Sequence, residues 1–142
     1  MRGRSTAHSW GVVLDAPDAQ ALARFYARLL DWRITKDEVD WVTVAPADEG
    51  AYLAFQTSTD YVRPVWPSAD GSQQMMMHLD LEVGDLHDAV AHALGEGATL
   101  AAHQPQDDVR VLLDPAGHPF CLYQVRRQCS GLQAGGEAGR PA

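Results

Sequence analysis

Two short stretches carry the residues best suited to chemistry. In His78-Leu79-Asp80-Leu81-Glu82 polar and apolar side chains alternate, so an extended chain sets His78, Asp80 and Glu82 on one face and Leu79, Leu81 and Val83 on the other. A histidine beside an aspartate can orient a ligand by hydrogen bonding, and it can act as a base where its pKa falls near neutrality. His78 is the best catalytic candidate on that ground; the plainer account is a half-buried strand with a solvated side, which serves well for Glu82. In Phe120-Cys121-Leu122-Tyr123 the same period pairs Cys121 with Tyr123. A cysteine is a nucleophile only as its thiolate, and nothing near Cys121 in sequence would lower its pKa, so an inert, half-buried thiol is expected.

The elements that must position these residues follow from periodicity and punctuation. Ser9–Leu14 is short and apolar, a strand, and Asp15-Ala16-Pro17-Asp18 breaks it with Asp18 placed to cap a helix. Leu22, Phe25, Tyr26, Leu29 and Leu30 then fall on one helical stripe. Strands are expected at Trp32–Lys36, Trp41–Ala45 and Ala51–Gln56. Residues 57–74 contain Tyr61, Arg63, Pro64, Trp66 and Pro67, too much proline for regular structure and too many aromatics for a plain linker. The order then repeats. A strand at Met75–Val83, with its three methionines assigned to strand packing, leads to a helix capped by Asp85. That helix carries Leu86, Ala89, Val90, Ala93 and Leu94 and ends at Gly95 and Gly97. A short edge strand at Thr99–Ala101 and strands at Val109–Leu113 and Phe120–Val125 complete the set. The last two flank the turn Asp114-Pro115-Ala116-Gly117-His118, where Gly117 suits a left-handed position. His118 is given a turn-forming or exposed role there, and His87 and His92 a solvent-facing one on the second helix.

An offset of 67 lays Asp18 on Asp85, Val12 and Leu14 on Leu79 and Leu81, and Leu22, Ala23 and Tyr26 on Ala89, Val90 and Ala93. One further residue of slip lays Tyr52-Leu53-Ala54-Phe55-Gln56 on Phe120-Cys121-Leu122-Tyr123-Gln124. Two βαβββ modules, at about 9–56 and 75–125, are therefore expected in one domain over residues 1–126. The Gly/Ala-rich segment 127–142 is expected to be disordered.

These tandem modules, each opening with a strand and an Asp-capped helix, together with the closing hairpin DPAGHPFCLY, resemble the vicinal oxygen chelate superfamily. That is the fold of glyoxalases, bleomycin-resistance proteins and extradiol dioxygenases. VVLDAPD with ALARFYARLLDW, and HLDLEVGDL, are similar to its glyoxalase-like branch in actinobacteria. The resemblance implies an α+β fold of eight mostly antiparallel strands curled into a cup, with two helices packed outside, the modules meeting within one chain or across a homodimer. It also implies metal positions on the opening and closing strands of each module, which here fall on Gly11, Leu53, His78 and Cys121. Gly11 and Leu53 have nothing to donate, and a catalytic ion usually takes about three protein ligands. Asp80 lies ~7 Å along an ideal strand from His78, too far to supply the third. No metal cofactor is expected. What remains is a cup lined by Val13, Leu53, Phe55, His78, Asp80, Cys121 and Tyr123, with Tyr61, Arg63 and Trp66 of the loop either covering it or serving as dimer contacts.

Composition narrows the partners. The 142 residues carry a formal net charge of −8, with ten Arg and one Lys scattered along the chain, which argues against nucleic acid and anionic membranes. No apolar run approaches the ~18 residues that span a bilayer, and no apolar stretch follows the basic N-terminus, so a cytoplasmic protein is expected. Two cysteines, Cys121 and Cys129, make no disulfide framework. The expected function is binding of a small organic molecule in the cup without a catalytic metal. A metal-dependent lyase, isomerase or dioxygenase of the same fold, and a regulatory or protein-interaction module, stand as alternatives.

Overall fold

In the computed structural model, residues 9–48 and 50–125 are described; the segment 127–142, expected to be disordered, lies outside them. The first module runs β1 (Trp10–Ala16), α1 (Ala19–Leu30), β2 (Arg33–Asp37), β3 (Trp41–Ala45) and β4 (Ala51–Thr57). The second runs β5 (Leu79–Glu82), α2 (Leu86–Glu96), β6 (Thr99–Leu100), β7 (Val109–Leu113) and β8 (Pro119–Tyr123). Each module forms one four-stranded sheet, in the orders β1-β4-β3-β2 and β5-β8-β7-β6. Within each sheet the opening strand pairs in parallel with the closing one, and the remaining neighbours are antiparallel. The expected α+β fold, two helices over two curled sheets, is the one observed.

Both helices start where a carboxylate can take an orphan amide. Asp18 accepts from Ala21 N and Asp85 from Asp88 N, each at 2.9 Å. They stop on left-handed residues, Asp31 (φ 52°) and Gly97 (φ 109°), whose amides return to the last turn. The apolar stripe of α1 is buried at Leu22, Ala23, Phe25 and Tyr26. The core centres on Tyr26, whose ring stacks on Phe55 at 5.4 Å and meets Phe25 edge-on at 5.0 Å. Phe120 of the second sheet reaches both, 6.2 Å from Phe25 and 6.4 Å from Tyr26, so α1 binds the two modules into one core. The second helix is shallower: Ala93 is its buried residue, and Leu94, expected on the apolar stripe, is 43% exposed.

Three expectations change. The strand predicted from Met75 begins only at Leu79, because Met76 takes a positive φ of 52° that a strand cannot contain; Met76 and Met77 are exposed, not packed. The slip in the repeat is also absent. Val12 pairs with Leu53 and Leu79 with Phe120, so 67 residues separate equivalent positions at both ends of the modules. One residue of register exchanges the faces of a strand. Leu53 and Phe55 are accordingly buried with Val42 and Val44 beneath the helices and do not line the concave face. The position equivalent to Cys121 is Ala54.

The turn after β7 is built around Asp114, which is 1% exposed. Its carboxylate accepts from Tyr26 OH (3.0 Å), Gly117 N (2.7 Å), His118 N (2.9 Å) and His118 Nδ1 (2.8 Å). Four donors satisfy a buried charge that would otherwise be costly. Gly117, at φ 99°, takes the expected left-handed position, with Arg63 packed so close that a side chain there would meet it. The loop 57–74 is fastened to this turn. Tyr61 OH donates to Ala116 O at 2.8 Å and lies 3.2 Å from His118 Nε2, while Arg63 Nη1 donates to Pro115 O at 2.9 Å.

Candidate functional site

The concave face of the second sheet holds a cleft of about 430 Å³. Cys121 and Tyr123 of β8, His78 and Asp80 at the start of β5, and Val109 and Val111 of β7 line it, with Trp66 reaching over from the loop. Strand pairing explains the grouping: Asp80 lies opposite Cys121, and Cys121 opposite Val111. Leu79, Leu81 and Val83 point the other way into the core, as the alternation of HLDLE requires.

The polar groups of the floor converge. His78 Nε2 lies 3.2 Å from Asp80 Oδ1, and a donor atom from each of His78, Asp80 and Cys121 lies within 4.8 Å of the others. The sequence-based expectation that Asp80 is out of reach is thus overturned. His78 precedes the first strand residue and follows the irregular Met75–Met77 segment, so its side chain is free to lean along β5 toward Asp80. Cys121 is pushed up to about 11, first by burial and then by the negative charge of Asp80 and a hydrogen bond to it. At neutral pH it is a thiol, in keeping with the expected lack of nucleophilicity. Asp80 and Asp108 are the carboxylates lining the cleft, and among the described residues no Lys or Arg lines it.

Residues that the sequence left unremarked shape the wall. Gln104 substitutes for a missing strand neighbour: its amide donates to Ala101 O (2.8 Å) and Val111 O (2.9 Å) and accepts from Val111 N (2.9 Å). Arg110 Nη1 gathers the carbonyls of Gln106, Asp107 and Val109 at 2.8–3.2 Å, fixing the bend that carries Gln106 and Asp108 to the rim. A lone Gln or Arg in a polar segment gives no sequence signal for such roles. The indole Nε1 of Trp66 is buried with no partner among the described residues, and its ring lies 6.3 Å from His103.

Other expected site residues lie elsewhere. Tyr61 and Arg63 are spent on the turn at 114–117 and do not line the cleft. Burial and the charge of Asp114, partly offset by Arg63, raise Tyr61 to about 12. His118 is held by Asp114 and Tyr61 with its side chain only 14% exposed, so its role is in the turn, and it is not a surface group. His87 and His92 are exposed on α2, as expected. Val13 is half exposed on the concave side of the first sheet, outside the cleft.

That first concave face is a different surface. Gly11, equivalent to His78, has the Tyr52 ring lying directly against it, and Ala54 stands where the second module has Cys121. Its own cleft, of about 570 Å³, is lined by Arg33, Trp41, Thr43 and Tyr52 among others, with no His or Cys among the described residues. A metal gripped between the modules, as the resemblance implies, finds no side-chain donor at Gly11 or Ala54, the positions equivalent to His78 and Cys121.

Residues 11–123 match the family described as glyoxalase-like domain. The chain belongs to that family. No curated protein sequence matches it significantly. Among solved structures, this glyoxalase-like chain is similar to a glyoxalase/bleomycin resistance protein/dioxygenase family enzyme from Burkholderia phytofirmans PsJN, with a TM-score of 0.59 at 16% identity over 85% of this chain and 99% of that one. It is also similar to the fosfomycin resistance protein FosX from Mesorhizobium loti (TM-score 0.58, 12% identity, 88% and 93% covered) and to a possible glyoxalase from Bacillus cereus (0.59, 9%, 81% and 96%). At these identities the likeness concerns the fold. Among the described residues no helix is long and apolar enough to cross a membrane.

Proposed function

We propose that this glyoxalase-like protein binds a small organic ligand on the concave face of its second module. The observation that carries the reading is the cleft of about 430 Å³ in which apolar Val109, Val111 and Trp66 surround the polar trio His78, Asp80 and Cys121. Apolar walls with a few converging polar groups are the usual makeup of such a site. His78 and Asp80 orient the ligand by hydrogen bonding, and Tyr123 supplies an aromatic wall. A four-donor ion shared by both modules is no part of this reading, since Gly11 and Ala54 supply nothing to it.

The protein acts, on this proposal, as a cytoplasmic homodimer. Two features support self-association: among the described residues β1 and β5 are unpaired sheet edges, and Trp10, Val13, Met76 and Met77 are exposed on or beside them. Light scattering after gel filtration reads the mass directly, and a monomer at micromolar concentration refutes this part.

Thermal-shift screening against metabolites and antibiotics tests the binding. A ligand at ~100 times its Kd stabilises by about 2.7 kcal/mol, which raises Tm by roughly 5 to 10 °C in a chain of this size. Tyr123→Ala is expected to abolish the shift while Tyr52→Ala, in the first module, leaves it intact. The opposite pattern places the site elsewhere, and silence across the library defeats the reading.

A further inference from the structure

We infer that Trp66 gates access to the cleft of the second module, and that Arg63, which does not line that cleft, is the positioning residue that aims it. The gate rests on the proposed binding for its purpose alone, because its opening can be read on the cleft's own thiol without any ligand.

The segment 57–74 divides into a clamped base and a free tip. In the base, Tyr61 OH donates to Ala116 O at 2.8 Å and Arg63 Nη1 to Pro115 O at 2.9 Å, two anchors on adjacent carbonyls of one turn. Gly117 has no side chain, which leaves the room that Arg63 occupies, and Pro64 is buried beside it in the chain. Beyond Pro64 the chain closes on itself, with Val65 N donating to Gln73 O at 2.9 Å and Ser72 N to Ala69 O at 3.1 Å. Among the described residues no hydrogen bond joins 66–74 to either sheet, and residues 67–74 are exposed. The tip is thus a self-contained loop, able to move as a unit about Pro64 and Val65. Trp66 is its half-buried side chain, lining the cleft with Pro105 and Gln106 and lying 6.3 Å from the His103 ring. Burial of the ring holds that seat. The indole Nε1 opposes it, being buried without a partner among the described residues. An unpaired buried donor is costly, and water meets it as soon as the ring lifts. Two opposed contributions bring the seated and lifted positions close in energy, the condition for a gate. Arg63 sets the direction in which the chain leaves the clamp, three residues before the indole, and so decides whether the ring finds its seat.

The test uses the full chain in a Cys129→Ser background, where Cys121 is the remaining cysteine. Its thiol is modified with a small methanethiosulfonate and with a bulky fluorescein-bearing analogue, and the ratio of the two rates cancels any change in the acidity of the thiol. Arg63→Ala is expected to speed the bulky reagent about tenfold relative to the small one, the weight of one freed backbone residue. Arg63→Lys, which keeps a donor for the Pro115 carbonyl, restores the slow ratio, and Arg33→Ala in the first module's cleft leaves it unchanged. Hydrogen exchange in the unsubstituted chain separates a moving loop from a melting one. The Trp66 indole N–H, assigned by its loss in Trp66→Phe, is expected to be about tenfold less protected than the Val65 amide, whose bond to Gln73 O travels with the tip. Far-ultraviolet circular dichroism confirms that each variant is folded. A ratio unmoved by Arg63→Ala, an equal rise in Arg63→Lys or Arg33→Ala, or equal protection of the two N–H groups overturns the gate. A ligand-induced thermal shift with an unmoved ratio defeats the gate alone, and a responsive ratio with silence across the ligand library defeats the proposed function alone.

Discussion

The two modules share an element order and a pair of capping aspartates, yet they differ in what they bury and what they expose. In the first, α1 buries most of its stripe, and Tyr26 and Phe25 extend the core to Phe120 of the other sheet. Its concave face carries Gly11 and Ala54 where the second module carries His78 and Cys121. In the second, α2 buries only Ala93, while the concave face gathers His78, Asp80 and Cys121. The first helix packs more deeply than the second, while the second module's concave face presents exposed His78 and Asp80 beside a partly buried Cys121.

The contrast breaks most visibly under mutation of the helices. Leu22→Ala in α1, where the side chain is 2% exposed, is expected to cost about 2–5 kcal/mol, whereas Leu94→Ala in α2 costs under about 1 kcal/mol. Urea denaturation measures both, and equal losses would erase the asymmetry. Next comes alkalinity. Tyr26 and Tyr61 are both raised by burial and by Asp114, Tyr61 to about 12. The unfolded phenols ionise near pH 10 and the folded ones later, so the folded state holds more protons in that window. The contribution is fully present below pH 10 and lost as the pH climbs toward 12. Tyr61→Phe is expected to flatten the decline, and an unchanged slope would detach the loop from the turn's electrostatics. The smallest effect on the fold, though a sharp one on the cleft, concerns Cys121. With its thiol raised from 9.0 to about 11, the thiolate at neutral pH is depleted by roughly a hundredfold. In a Cys129→Ser background, alkylation by iodoacetamide is expected to be slow at pH 7 and to accelerate toward pH 11. Asp80→Asn brings that acceleration to lower pH; a fast reaction at pH 7 would contradict the cleft's electrostatics.

Much of the fold was legible in the chain. Asp18 and Asp85 announced both helices, and the 67-residue recurrence announced the modules, because capping and periodicity depend on near neighbours. Site residues on short alternating strands were legible as well: His78, Asp80, Cys121 and Tyr123 share a face in HLDLE and FCLY, as read. The first module's closing strand was not. Tyr52 and Phe55 aligned well by type with Phe120 and Tyr123, but aromatic residues suit either face of a strand, so the match carried no register, and Leu53 and Phe55 went to the wrong side. Tyr61 and Arg63 were misplaced for a related reason. Their partners are backbone carbonyls more than fifty residues away, and a carbonyl has no identity in a sequence.

By itself, then, the sequence determined the element order, the duplication and which residue types occupy the second opening and closing strands, since these follow from local sterics and the two-residue and 3.6-residue periods. Tertiary structure alone decided the pairing register, the fastening of the loop to the turn at Asp114, and the meeting of His78 with Asp80 and Cys121. Each of these depends on hydrogen bonding and packing between distant segments, where one residue of shift, or one irregular turn such as Met75–Met77, changes which side chains can touch.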